Sequence, residues 1–113
     1  MKNLIKRISG FLKIIGDPIR FEMLKRMKNS EKSASEFEKE MNISQSYTSQ
    51  QLKTLLNANL LEVRKNEDNI KMYSVKNPNI FRVFNNIQSF VIELEKQRLD
   101  DIMKAEKFDT LKF

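Results

Sequence analysis

Neither cysteine nor histidine occurs in the sequence. Disulfides, thiol redox switches and thiolate or imidazole metal sites are therefore excluded from this chain. Nucleophilic catalysis by a Cys–His or Ser–His pair is excluded with them. Carboxylates and lysines remain for acid–base work, and they are scattered as on a solvated helix surface. The expectation is a chain that is not an enzyme and carries no cofactor. Recognition chemistry is another matter. Gln45, Ser46, Ser49, Gln50 and Lys53 recur at i, i+1, i+4, i+5 and i+8, which places them on one arc of a helix. That arc holds no Asp or Glu, although the chain has 15. Amides and hydroxyls suit the base edges of a DNA major groove: Gln pairs bidentately with adenine, and Ser bonds to bases or phosphates. An ordinary polar solvent face is the alternative reading of the same residues.

The flanking sequence supplies a helix to carry this arc. Ser44 is a capping residue, and Thr48, Leu52, Leu55 and Leu56 form an inward stripe on a helix over 45–58. Asn59 stands where Gly usually ends a helix. About fourteen helical residues span roughly 21 Å, and the N-terminal half of such a helix is the part that enters the groove. Upstream, Ser33-Ala34-Ser35-Glu36 reads as a capping box for a short helix over 34–41, closed by Asn42. Only Asn42, Ile43 and Ser44 separate the two, which is the tight turn of a helix–turn–helix.

Other elements frame this pair. Leu4, Ile8, Phe11 and Ile15, widened by Ile5 and Leu12, predict a first helix over 2–15. Asp17 as cap and Pro18 at the first position open a second helix over 18–28. It should bury Ile19, Met23 and Met27, with Phe21 and Leu24 beside them. Beyond Asn59 the period changes to two. Residues 61–65 and 70–75 read as strands of a hairpin with the polar tip Asn66-Glu67-Asp68-Asn69. Asn77-Pro78 then opens a long helix over 79–107 carrying Ile80, Phe84, Ile87, Val91 and Leu94, flanked by Val83, Phe90, Leu99, Ile102 and Met103. The predicted fold is mainly α (α+β): a winged helix–turn–helix with a two-stranded β-hairpin wing and long N- and C-terminal dimerisation helices.

With 113 residues, two Gly and two Pro, the chain suits one domain over 1–113, with a DNA-binding core at 10–77 and dimerisation helices at 1–15 and 79–107. A net charge of +6 and a pI near 9.6 favour an anionic partner, either nucleic acid or a membrane surface. No apolar run approaches the ~20 residues of a membrane span. The amphipathic N-terminal segment is followed by no cleavage site, so a cytoplasmic protein with no membrane partner is expected. Arg64, Lys65 and Lys71 flank the hairpin tip and, with Lys53, are candidates for phosphate contacts. Glu67 and Asp68 at the tip oppose close phosphate approach, and plain surface charge explains those cations equally well. The first and last helices are more apolar than one small domain can cover. Leu4, Ile8, Phe11, Ile87, Phe90, Val91 and Leu94 are accordingly expected to meet a second copy.

These pieces, in order, resemble the ArsR family of winged helix–turn–helix repressors across roughly residues 11 to 84. Ile14 to Arg20 is similar to the family's L-x-D-P-x-R motif. Glu36-Phe37, the run Ile43 to Leu55, Leu60 to Lys65, and Met72-Tyr73-Ser74-Val75 at the end of the wing complete the set. The resemblance implies a homodimer joined through the first and last helices, presenting two recognition helices to successive major grooves of double-stranded DNA. It also implies that Gln45, Ser46, Ser49 and Gln50 face DNA, since they align with the family's reading positions. Gln51 replaces a usual His, and Asn42 and Asn59 replace usual Gly. Many relatives sense a metal through Cys, or through Asp/His pairs, and the ligands for that are missing here. Glu93, Glu95, Asp100 and Asp101 form a conceivable oxygen site for a hard cation, against the plainer reading of a helix surface balancing Lys96, Arg98 and Lys104. The expected function is sequence-specific DNA binding by a dimeric repressor without Cys/His metal sensing. A winged-helix protein–protein interaction module in a larger assembly is the alternative. No motif specifies the operator, the regulated genes, the effector or the sign of regulation.

Overall fold

The computed structural model describes the backbone of residues 3–111 and the side chains of residues 3–107. Its elements run α1 (Leu4–Ile15), α2 (Pro18–Arg26), α3 (Ala34–Met41), α4 (Gln45–Asn57), β1 (Leu61–Lys65), β2 (Lys71–Val75) and α5 (Ile80–Leu111). They fall into two compact units, Met1–Pro78 and Asn79–Phe113.

Helix ends in the first unit are fixed by short polar side chains. Asp17 accepts the Arg20 amide at 3.0 Å, and Pro18 follows at N1. Ser33 and Glu36 form the full capping box, each side chain taking the other's amide. Ser44 accepts the Tyr47 amide, and its carbonyl also takes the Thr48 hydroxyl at 2.7 Å. Among the described residues five adopt positive φ, namely Asn3, Asn29, Asn42, Asn59 and Asn69, and neither glycine does. Asn thus fills the left-handed positions that Gly fills elsewhere, because its short amide side chain tolerates that region better than other residues with a Cβ. After Asn42 and Asn59 the next amides, Ile43 and Leu60, reach back to the carbonyls of Glu38 and Leu55. Both helices therefore close by a bond from the residue after the left-handed Asn back to a carbonyl of the last turn.

The core of this unit is built from Ile15 of α1, Met23, Leu24 and Met27 at α2, Phe37 of α3, Leu52 and Leu55 of α4, and Leu61 and Tyr73 of the hairpin. Ile19 and Phe21 are only half-buried, as is Leu56. β1 and β2 pair antiparallel from Leu61↔Val75 to Lys65↔Lys71. Lys32, just before the α3 cap, adds a bridge to Tyr73 through amide–carbonyl bonds of 2.9 and 2.7 Å. The wing is therefore tied to the α2–α3 connection as well as to the end of α4.

In the second unit α5 is 32 residues long, about 48 Å at 1.5 Å per residue. Ile80 and Phe84 are its buried residues among those described, and Phe81 meets Phe84 edge to face. Phe90, Val91, Ile92, Leu94, Leu99, Ile102 and Met103 are all exposed.

Several boundaries differ from expectation. Residue 2, expected in the first helix, lies outside the described residues, and α1 begins at Leu4. α2 ends at Arg26 rather than 28, because the Met27 amide is shared between the Met23 and Leu24 carbonyls, the Lys28 amide turns to Lys25 three residues back, and Asn29 is left-handed. α5 begins at Ile80 and runs past 107 to Leu111, since neither Gly nor Pro interrupts it. The strand expected from 70 begins at Lys71, because the Ile70 amide and carbonyl close the tip on Asn66.

The Asn42 cap gives a direct test. Asn42→Gly should preserve or raise unfolding stability by up to about 1 kcal/mol, and Asn42→Ala should lower it by about 1 kcal/mol. Urea denaturation followed by circular dichroism measures both, and equal midpoints for the two variants would refute the left-handed cap.

Candidate nucleic-acid interface

α4 carries Thr48, Gln51, Leu52 and Leu55 on its buried side. This spacing of three and four residues fixes which positions face outward. Gln45, Ser46, Ser49, Gln50 and Lys53 are all exposed, so the structure gathers the five sequence-derived candidates on one open face. No acidic residue occurs between Gln45 and Asn57. The positive end of the α4 dipole therefore has no carboxylate on its own helix to offset it. Ser46 is 3.5 Å from the capping Ser44 hydroxyl. The carbonyl of Gln50 takes the Thr54 hydroxyl, and among the described residues the side chains of Gln45, Ser49, Gln50 and Lys53 have no hydrogen-bond or ion-pair partner.

The hairpin sorts its cations. Lys65 and Lys71 are cross-strand partners at the tip end of the ladder and so share one face. Among the described residues neither has an ion-pair partner. Two ammonium groups opposite one another repel, and a phosphate approaching them would relieve that repulsion. Arg64 lies on the other face, across from Met72. Its Nε and Nη2 donate to Glu31 at 2.7 and 2.5 Å. The three wing candidates are therefore not brought together. Hydrogen bonding from Arg64 holds the Glu31 carboxyl below the ordinary glutamate range and pushes the guanidinium pKa up. Glu40 is lowered likewise, first by Lys32 at 2.8 Å and then by Arg26 at 3.1 Å.

Sequence reasoning missed what holds α4 in place. Arg20 donates through Nη1 to Gln51 Oε1 at 2.9 Å, through Nε to the Ile14 carbonyl at 2.8 Å, and through Nη2 to the Lys13 carbonyl at 3.3 Å. Gln51 is buried, 8% exposed. Its position, three residues after Thr48 and four before Leu55, was the available signal that it faces inward and needs a polar partner.

The carboxylates of α5 do not assemble. Asp100 pairs with Lys104 at 3.3 Å, Asp101 accepts from Gln97 at 3.0 Å, and Glu95 lies 4.0 Å from Arg98. Among the described residues no group of three acidic, His or Cys side chains is placed to hold a metal ion. No described helix is long and apolar enough to cross a membrane.

Residues 17–63 match the family model of bacterial regulatory proteins of the arsR family, regulatory rather than enzymatic proteins. Solved structures share the fold, among them the following three. The crystal structure of Rv0081 from Mycobacterium tuberculosis has a TM-score of 0.79 and 23% identity, over 88% of this chain and 99% of that one. The homodimeric winged helix–turn–helix DNA-binding domain of Mb0332 from Mycobacterium bovis, a possible ArsR-family transcriptional regulator, gives 0.70 and 18%, over 80% and 82%. The transcriptional repressor BigR from Xylella fastidiosa gives 0.67 and 24%, over 80% and 91%. No curated protein matches the chain. The architecture is thus the mainly helical winged helix–turn–helix that the sequence pattern predicts.

Truncating the buried amide tests the support beneath this face. Gln51→Ala should destabilise the chain by about 1.5–3 kcal/mol, the range for a hydrogen bond to a charged group. A urea midpoint unchanged from the native chain would show that Arg20 does not hold α4.

Proposed function

We propose that this chain, whose residues 17–63 match the arsR-family model, is a sequence-specific DNA-binding transcriptional regulator that acts as a homodimer and represses by occlusion. The observation that carries this reading is the exposed, acid-free face of α4. Gln45, Ser46, Ser49 and Gln50 read base edges in the major groove, with Gln the natural partner of adenine. Lys53, Lys65 and Lys71 contact phosphate and set register without reading sequence.

Exposed apolar side chains support the dimer. Leu4 and Ile8 on α1, with Phe90, Val91 and Leu94 on α5, are each between 46% and 58% exposed, and Phe11 and Ile87 are half-buried. Such side chains are stabilised by a symmetry-related surface. A two-fold dimer presents its recognition helices to half-sites about one helical turn apart. The homodimeric state of the Mb0332 domain agrees with this arrangement.

Sites selected from random duplex DNA should form a palindrome. Against the selected site, Gln50→Ala or Ser49→Ala should weaken binding by about 1–3 kcal/mol and relax base preference. Lys71→Ala should weaken all sequences alike. Mobility-shift titrations that leave all three variants at native affinity would show that α4 and the wing are not the reading surface.

Sedimentation equilibrium tests the interface. Val91→Glu with Leu94→Glu should convert a dimer into a monomer of 13.4 kDa. A dimer that survives both substitutions is not built on α5.

A further inference from the structure

The ion pair on the back of the wing separates Arg64 from the other cations of the candidate interface. Its two bonds to Glu31 form a side-on fork, the geometry in which guanidinium also grips phosphate. A phosphate reaching Arg64 would have to displace a carboxylate already seated there and would meet its negative charge. An exposed ion pair on two mobile side chains would yield easily, but this one has a fixed origin. Lys32, the next residue, is bonded through both its amide and carbonyl to Tyr73 of β2. The Lys32 ammonium is held by Glu40, which also binds Arg26, and Arg26 binds Glu22 at 3.0 Å. Glu31 thus projects from a backbone segment clamped between the wing and the network joining α2 to α3.

We infer that Glu31 is the working partner of Arg64, which makes Arg64 a positioning residue of the wing rather than a phosphate contact, and makes Glu31 a brake on DNA affinity. The inference rests on the DNA-binding reading above and adds a division of labour within the same site. Lys65 and Lys71, without an ion-pair partner among the described residues and opposite each other on the other face of the ribbon, supply the wing's charge toward phosphate. Arg64 spends its charge within the protein and fixes the angle at which those lysines are presented. Releasing it by neutralising Glu31 adds one cation to the surface available to DNA.

Salt dependence counts such contacts, because each neutralised phosphate steepens the slope of log K against log salt by about 0.9. Fluorescence anisotropy with one selected duplex, at several salt concentrations, is to be run on the full chain and on Lys71→Gln, Arg64→Gln and Glu31→Gln. Circular dichroism confirms folding of each variant. Lys71→Gln should make the slope shallower by about one unit per protomer. Arg64→Gln should lower affinity while leaving the slope at its native value, and Glu31→Gln should steepen the slope by about one unit and tighten binding at low salt. An Arg64→Gln slope as shallow as that of Lys71→Gln overturns the inference and restores Arg64 as a phosphate contact. So does a Glu31→Gln slope equal to native. If the native chain itself shows no salt-dependent duplex binding, the DNA-binding reading is what fails.

Discussion

The guanidinium of Arg20 is the point from which the geometry of the first unit follows. It sits where α1 ends, and the last carbonyls of a helix have no partner within it. By binding the carbonyls of Ile14 and Lys13 it satisfies two of them and brings a positive charge to the negative end of the α1 dipole. The same residue's amide is held by the Asp17 cap of α2. Its remaining reach goes to the buried amide of Gln51 on α4. Three helices thus meet on one side chain that cannot lose its charge. The register of α4 about its own axis is set by this contact together with Thr48, Leu52 and Leu55. Once Gln51 faces inward, Ser49, Gln50 and Lys53 must face outward, so the candidate reading face follows from how the inner face is anchored.

Charge is distributed to complement that arrangement. Glu22, Glu40 and Glu31 are each bound to Arg or Lys on α2, on the α2–α3 connection or on the wing. α4 has no carboxylate at all. A positive surface can therefore form along α4 without a large excess of Lys and Arg there, because Glu22, Glu31 and Glu40 are neutralised in pairs. Net charge, +6 for the chain, is a weaker guide than this segregation: acids evenly spread among the same cations would leave no face for a polyanion.

How much of this was legible in the sequence depended on the range of the interaction. Ser33 with Glu36, Ser44 before Gln45 and the asparagines at 42 and 59 act within four residues, and the helices they bound were readable from spacing alone. The hairpin was readable because its alternation is local. Arg20–Gln51 and Glu31–Arg64 join residues 31 and 33 positions apart. Nothing in local pattern distinguishes Arg64 from Lys65 as a surface cation; only the folded position of Glu31 does. Gln51 marks the boundary between these cases. Its inward position followed from helical periodicity, but its partner depended on how α2 crosses α4.

The long last helix adds a different constraint. An isolated helix is stable in water only marginally, and helices in proteins depend chiefly on packing of an apolar face. α5 has two buried residues among those described and a long series of exposed apolar ones. Its helical state must then be coupled to whatever covers Phe90, Val91 and Leu94. If that cover is a second copy, ordering of α5 and association are one equilibrium, and its position depends on protein concentration. On the proposed reading, duplex DNA with two half-sites draws the same equilibrium toward the associated form. Association then sets, on that reading, how many α4 faces one duplex can engage together.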